Sequence, residues 1–212
     1  MFLRWSGQEA ENVWTPTATN TAGSKRLVDG NFIQTAVRSR GAVLIWTDTA
    51  LYQMQFIGPP FTFGFNQLGS ACGCIGLHAA VDVGGISFWM GTDSFFLFDG
   101  AVQKIPCTVQ DYVFDDLNQN AKQDIFCAAN TDYNEVMWFY PSVNSSQIDR
   151  VVVFNYAENL WYIGTLARSA WADRGTYDNP YAAEFEASDT TATISTITGL
   201  KAGRTFVYLH ES

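Results

Sequence analysis

Histidine is nearly missing from these 212 residues: His78 and His210 are the two, far apart and each in apolar company. Hydrolysis by a Ser-His-Asp or Cys-His arrangement needs an oriented base beside a nucleophile. No Gly-x-Ser-x-Gly or comparable cysteine signature lies near either histidine. Glycine-rich phosphate loops are absent too, which removes the usual sequence signal for nucleotide binding. Charge is scarce, 16% of residues, and tilted to one sign: 12 Lys and Arg against 21 Asp and Glu leave a net charge of −9. Clustered basic side chains are what neutralise phosphates, so this balance argues against tight, sequence-independent binding of nucleic acid, while a lumen that passes DNA is compatible with it. There is no run of about 18 apolar residues, so no membrane-spanning helix is expected. Met1 to Ser6 lacks the apolar core of a signal peptide, which makes cytoplasmic synthesis the default.

Metal chemistry has little to stand on. The four cysteines are Cys72, Cys74, Cys107 and Cys127, and Cys72-Gly73-Cys74 is one residue short of the Cys-x-x-Cys grip of zinc sites. They are expected to be buried thiols, since reduced cysteine behaves as a small hydrophobe. No metal and no cofactor is expected. Carboxylates cluster at Asp111, Asp115 and Asp116 and again at Asp178, Glu184 and Glu186. A glycosidase needs two carboxyl groups about 5 to 10 Å apart, but a solvated acidic face is the stronger reading of such clusters. Asn144-Ser145-Ser146 matches a glycosylation acceptor and reads as a loop.

What the sequence has in quantity is aromatic and β-branched residues: 15% are aromatic and 47% hydrophobic. Gly41 to Phe56 reads as two β-rich runs joined by a polar Thr47-Asp48-Thr49 turn, a hairpin. The same grammar returns over Gly85 to Phe98, where Thr92-Asp93-Ser94 stands 45 positions later (92 − 47). A third copy runs from Glu135 to Tyr140 and, after a polar break, from Arg150 to Tyr156. Their tryptophans, Trp46, Trp89 and Trp138, are 43 and 49 residues apart (89 − 46, 138 − 89). That is the length of a four-stranded propeller blade, about 40 to 50 residues. Ala10-Glu11-Asn12-Val13-Trp14 is echoed by Ala157-Glu158-Asn159-Leu160-Trp161 at an offset of 147, three steps of 49. The expected fold is all-β: a propeller-like repeat of antiparallel four-stranded blades, incomplete as a propeller.

Along the chain, residues 1 to 26 are polar, with Trp5 and Trp14 as anchors and an extended loop over Thr15 to Gly23. A strand is expected near Asn31 to Arg38, with Arg38 and Arg40 on a solvated edge. Phe61, Phe63 and Phe65 alternate and should line one side of a strand, as packing or as an interface rather than a sugar platform. Ala79 to Asp82 reads as a short strand closed by Gly84-Gly85, and Phe98-Asp99-Gly100-Ala101 as a turn between antiparallel neighbours. Val109, Val113 and Leu117 share one face of a short helix near 109–117. Ile125 to Ala129 is another buried strand. Residues 187 to 200 have little to bury, and Thr205 to Ser212 is strand-like. Propeller-like blades are thus expected over 1–183, with 184–212 a Thr- and Ser-rich segment and the start of a further blade. A chain that stops in mid-pattern suggests a cut product, with a partial blade at each end.

Several of these runs resemble the β-propeller virion proteins of tailed phages, the group that includes packaged-DNA stabilisation and tail-nozzle proteins. The matching stretches are Arg4-Trp5-Ser6 with Trp14-Thr15-Pro16 and Asn20 to Gly23; Leu44 to Asp48 with Leu51 to Met54; Phe88 to Gly91 with Phe98-Asp99-Gly100; Asn134 to Ser142; Asn155-Tyr156 with Trp161; and Tyr208, His210 and Glu211. The blade signature carried by the resemblance and the repeat comprises Trp46, Thr47, Asp48, Trp89, Thr92, Asp93, Asp99, Gly100, Trp138, Asn159 and Trp161. It marks blade structure and contains no reactive group. The resemblance implies a non-enzymatic structural part of the virion tail: a homo-oligomeric ring below the portal that continues the DNA channel, helps retain the genome without binding DNA specifically, and contacts portal or adaptor proteins and a tail fibre or spike. The alternatives are a carbohydrate-binding propeller acting as a host-surface adhesin, motivated by the aromatic content, and a propeller glycoside hydrolase.

Overall fold

The computed structural model describes residues 1–175, 179–186 and 204–209. The fold is mostly β, built from successive four-stranded antiparallel sheets in which each strand pairs with the next in sequence, as propeller blades do. The chain divides into two compact units, Met1–Cys107 and Thr108–Ser212. The boundary expected between 183 and 184 falls inside a strand, Tyr181–Glu186.

The first unit opens with a two-stranded sheet of β1 (Phe2–Trp5) and β2 (Gly23–Arg26). Blade A follows as β3 (Ile33–Ser39), β4 (Ala42–Thr47), β5 (Ala50–Phe56) and β6 (Phe63–Ser70), and blade B as β7 (Ala80–Val83), β8 (Ile86–Met90), β9 (Phe95–Phe98) and β10 (Val102–Ile105). Turn chemistry sets the register. Arg40-Gly41 and Gly84-Gly85 close the first hairpin of each blade, and all four residues have positive φ, the geometry that matches the twist of adjoining strands. The Arg40 side chain crosses from blade A to lie against Gly85, where a Cβ would collide with it, and its guanidinium donates to the Asp99 carbonyl at 3.5 Å.

Successive residues of a strand face opposite sides of the sheet, and blade A buries both. On one side Ile45 and Tyr52 form a core with Leu27, against which Leu3, Val43 and Met54 pack. On the other side Trp46 meets Trp89 of blade B edge to face, with ring centroids 5.3 Å apart. Trp46, Trp89 and Trp138 are all fully buried. The 43-residue spacing of the first two reflects true equivalence: Trp46 pairs with Leu51 and Trp89 with Phe96 across their second hairpins. Those hairpins differ by two residues, five against seven from tryptophan to partner, which accounts for the 45-residue spacing of the Thr-Asp turns.

The second unit starts with α1 (Gln110–Asp116), in which Val113 is buried, as is Leu117 at its C-cap. A 3₁₀ turn over Gln119–Asp124, which the polarity of that stretch did not announce, is capped by the Asn118 side chain at 3.0 Å from the Asn120 amide. Blade C is β11 (Phe126–Asn130), β12 (Glu135–Tyr140), β13 (Arg150–Asn155) and β14 (Leu160–Gly164). Asn134 and Asn159 supply the left-handed residues that end its two short turns. A three-stranded sheet of β15 (Ala170–Ala172), β16 (Tyr181–Glu186) and β17 (Arg204–Leu209) follows. Trp171 packs near Phe139 and donates its indole hydrogen to the Ala129 carbonyl at 3.0 Å. The expected Thr- and Ser-rich segment, together with Asp178 and His210, lies outside the described residues.

Two readings of the N-terminal region are corrected. Trp14 is no anchor: it is 50% exposed. The echo of Ala10–Trp14 in Ala157–Trp161 has no structural counterpart either, since Ala10 sits in an isolated bridge to Gly7 whereas Trp161 belongs to β14 and stacks on Phe154. Trp5 is held, and it draws residues 2–5 and 23–26 into paired strands that the loop-like composition concealed. No helix among the described residues is long and apolar enough to cross a membrane.

Trp89→Ala is expected to lower the unfolding free energy by about 3–5 kcal/mol, the usual range for truncating a buried aromatic, measured by urea titration. Gly73→Ala should cost about 1–3 kcal/mol by overpacking, because its Cβ would meet the Asp48 carbonyl and the Thr49 amide nitrogen. Gly7→Ala, whose Cβ meets only ordinary contacts, should unfold at an unchanged denaturant concentration.

Candidate functional site

Three features were open to a functional role: the blade signature, the carboxylate clusters and the Phe61–Phe65 run. The structure treats each differently.

Among the signature residues, Thr47 and Asp48 form a polar brace on blade A. The Thr47 hydroxyl accepts from the Ala50 amide at 2.8 Å, closing the turn. Asp48 Oδ1 accepts from the Asn31 amide at 2.7 Å and Oδ2 from the Asn31 side chain at 2.8 Å, which pins the Asp29 to Phe32 approach to β3. Burial opposes charge on Asp48, but these hydrogen bonds and that from the Phe32 amide outweigh it and hold the carboxyl below its ordinary value of 3.8. Thr92 and Asp93 do not repeat this brace; they are exposed in the longer Gly91 to Ser94 turn. Asp99 accepts from the Ala101 amide and the Gln103 side chain, and Gly100, at φ +130°, turns the chain in open space. In blade C, Trp161 stacks on Phe154 with centroids 4.6 Å apart and on Trp138 at 6.1 Å. The Asn155 side chain caps the turn that ends at Asn159.

Among the described side chains the clustered carboxylates Asp111, Asp115, Asp116 and Glu184 do not converge on a reaction centre. Asp111 and Asp115 are exposed, while Asp116 pairs with Arg150 at 3.2 Å and ties α1 to blade C. Asp149, 3.7 Å from the same guanidinium, accepts from the Ser142 amide and hydroxyl. Glu184 pairs with Arg168 at 2.9 Å. Burial, and then the nearby Asp116 charge, pushes the Tyr140 phenol well above its ordinary value. His78 is exposed. The cysteines are reduced thiols; Cys72 and Cys74 are buried, as expected, and Cys107 and Cys127 half-buried. Burial pushes the Cys74 thiol up to about 12. Among the described residues no group of three His, Cys, Asp or Glu could hold a metal ion.

The aromatic run lines a cleft of about 500 Å³ between the N-terminal sheet and the β5–β6 hairpin of the first unit. Phe63 and Phe65 lie on β6 and pack on Trp5: Phe65 stacks on it at 5.7 Å and Phe63 meets it edge to face at 5.3 Å. Gly23 lies against the same indole, so closely that a Cβ would enter the ring. The indole nitrogen donates to the Thr21 carbonyl at 2.9 Å. Packing therefore occupies these rings, as the alternation suggested. Phe61 differs: it precedes the strand and is 69% exposed. The neighbouring polar groups serve the loop itself, Asn20 bonding both the Thr17 amide and the Thr15 carbonyl. No carboxylate lines the cleft. Sequence reasoning missed Trp5 as its organiser because its partners are 58 and 60 residues away (63 − 5, 65 − 5).

Asp48→Asn should lower stability at neutral pH by about 1 kcal/mol, the usual scale for a hydrogen bond. The native carboxyl is depressed, so the stability it contributes is present above pH 3.8 and lost as pH falls through the native value. The gap between wild type and variant, followed by urea midpoints, should therefore narrow below pH 3.8.

No protein-family model matches the chain, and no curated protein sequence matches it.

Proposed function

We propose that the chain is a non-enzymatic structural component of a tailed-phage virion, a tail, nozzle or head-completion protein that continues the DNA channel below the portal and helps retain the packaged genome. One observation carries this reading. The runs that resemble such proteins, Leu44 to Asp48, Phe88 to Gly91 and Asn134 to Ser142, lie on and immediately beside the second strands of three successive four-stranded sheets, where Trp46, Trp89 and Trp138 are buried. They are residues of construction. Among the described side chains, the clustered carboxylates Asp116 and Glu184 are ion-paired and Asp111 and Asp115 exposed, and the net charge of −9 suits a channel along which phosphate slides. A homo-oligomeric ring with portal or adaptor proteins above it and a fibre or spike below belongs to the same proposal.

A second reading, carbohydrate binding, is favoured by Phe61, an exposed ring beside a cleft lined with amide and hydroxyl groups. It is the weaker one, because Trp5, Phe63 and Phe65 already stack on one another and Asn20 is engaged within its own loop.

A nonsense mutation early in the reading frame of the virus that carries it should yield heads that package DNA and then lose it. Electron micrographs would contain empty tailless heads, and the released DNA would be sensitive to added nuclease. Full heads in normal yield, with infection lost only at adsorption to host glycans, would replace this reading by the adhesin.

A further inference from the structure

An aspartate followed by glycine can react with its own chain, because glycine has no side chain to keep the next amide nitrogen from swinging onto the carboxyl carbon. The sequence has two such pairs, Asp29-Gly30 and Asp99-Gly100. The fold treats them oppositely.

Asp29-Gly30 is half-buried and pinned from several sides. The Asp29 amide donates to the Tyr52 hydroxyl at 2.9 Å, and its carboxylate accepts from the Gln67 side chain at 2.8 Å. The next residue, Asn31, gives its amide to Asp48 at 2.7 Å. Gly30 is enclosed as well: a Cβ there would stand 2.5 Å from Asp48 Oδ1 and 2.7 Å from the Thr47 hydroxyl. The second pair has none of this enclosure. Asp99 and Gly100 are both exposed at the apex between β9 and β10, outside either strand. Gly100, at φ +130°, has no heavy atom within 4 Å of where a side chain would begin. The Asp99 carboxylate is held by longer bonds, 3.4 Å from the Ala101 amide and 3.2 Å from the Gln103 side chain, and both partners belong to the same hairpin.

We propose that Asp99-Gly100 is a self-modification site, at which the exposed hairpin apex converts from aspartate to isoaspartate while the enclosed Asp29-Gly30 pair does not. The Gly100 nitrogen attacks Cγ of the protonated Asp99 carboxyl. Its hydrogen and the carboxyl hydroxyl leave together as water, and a succinimide ring closes. Solvent water then reopens the ring. Addition at Cγ restores aspartate. Addition at the former main-chain carbonyl breaks its bond to nitrogen, leaves that carbonyl as a free carboxylate and routes the chain through the side-chain carbons. Water is the only co-reactant. The product changes a contact between blades A and B: the Asp99 carbonyl oxygen that accepts from the Arg40 guanidinium at 3.5 Å becomes part of a carboxylate, so a neutral contact becomes an ion pair. The inference does not depend on the virion reading.

The test is to age the full chain for weeks in warm, mildly acidic buffer, in which carboxyl groups are partly protonated. The chain is then digested with endoproteinase Asp-N, which cuts before aspartate and not before isoaspartate, and the fragments are weighed by mass spectrometry. The expected result is progressive loss of the cut before residue 99, accompanied by a fragment lighter by one water, with the cut before residue 29 retained. Ageing in guanidinium chloride removes the fold and should abolish the difference, both cuts being lost together. Equal loss at the two sites in the folded chain, earlier loss at residue 29, retention of both cuts, or a difference that persists in guanidinium chloride would overturn the proposal.

Discussion

An indole in the second strand of a four-stranded sheet cannot be hidden by that sheet alone, and the first unit is arranged around that requirement. Trp46 and Trp89 find cover because blade B lies on the side of blade A opposite the N-terminal sheet, bringing the two rings to 5.3 Å. The indole hydrogen of Trp89 goes to the Cys72 carbonyl at 2.8 Å, so the burial of one ring also fixes the connector between the blades. That connector is held from its other side by the first hairpin turn: the Cys72 and Cys74 amides donate to the Thr49 and Thr47 carbonyls. Gly73 is required between them, since no side chain fits against the Asp48 backbone. Each sheet thus needs its neighbour, as stacked repeats generally do.

Polar groups in this framework act as braces. Asp48 holds the entry to blade A, Arg150 joins α1 to blade C through Asp116, and the Asn155 side chain shapes the last turn of blade C. Each engages a partner that is distant in sequence or belongs to the backbone of a turn.

The blades were legible because period-two alternation, glycine turns and a recurring tryptophan all pointed to the same hairpins. The helix was legible from Val109, Val113 and Leu117. Equivalence of the turns was not: Thr92 and Asp93 match Thr47 and Asp48 in letters, but two extra residues move them out of bracing distance. The N-terminal strands were missed because their pairing rests on Trp5 meeting Phe63 and Phe65, contacts that no local pattern announces. The aromatic cleft was half legible. Alternation correctly assigned Phe63 and Phe65 to packing, yet Phe61 left the strand because β6 begins only at Phe63. Asp48 was singled out by repetition, but its work depends on Asn31, 17 positions away, which sequence alone could not pair with it.

The tight turns also differ in how much room surrounds them. Gly85 is covered by the Arg40 side chain, and Gly30 is enclosed by Thr47 and Asp48, whereas Gly100 has no neighbouring atom within 4 Å of where a side chain would begin. The β9–β10 apex is therefore a point at which an epitope or fluorophore-bearing peptide can be spliced into the chain while the tryptophan stack beneath is left as it is.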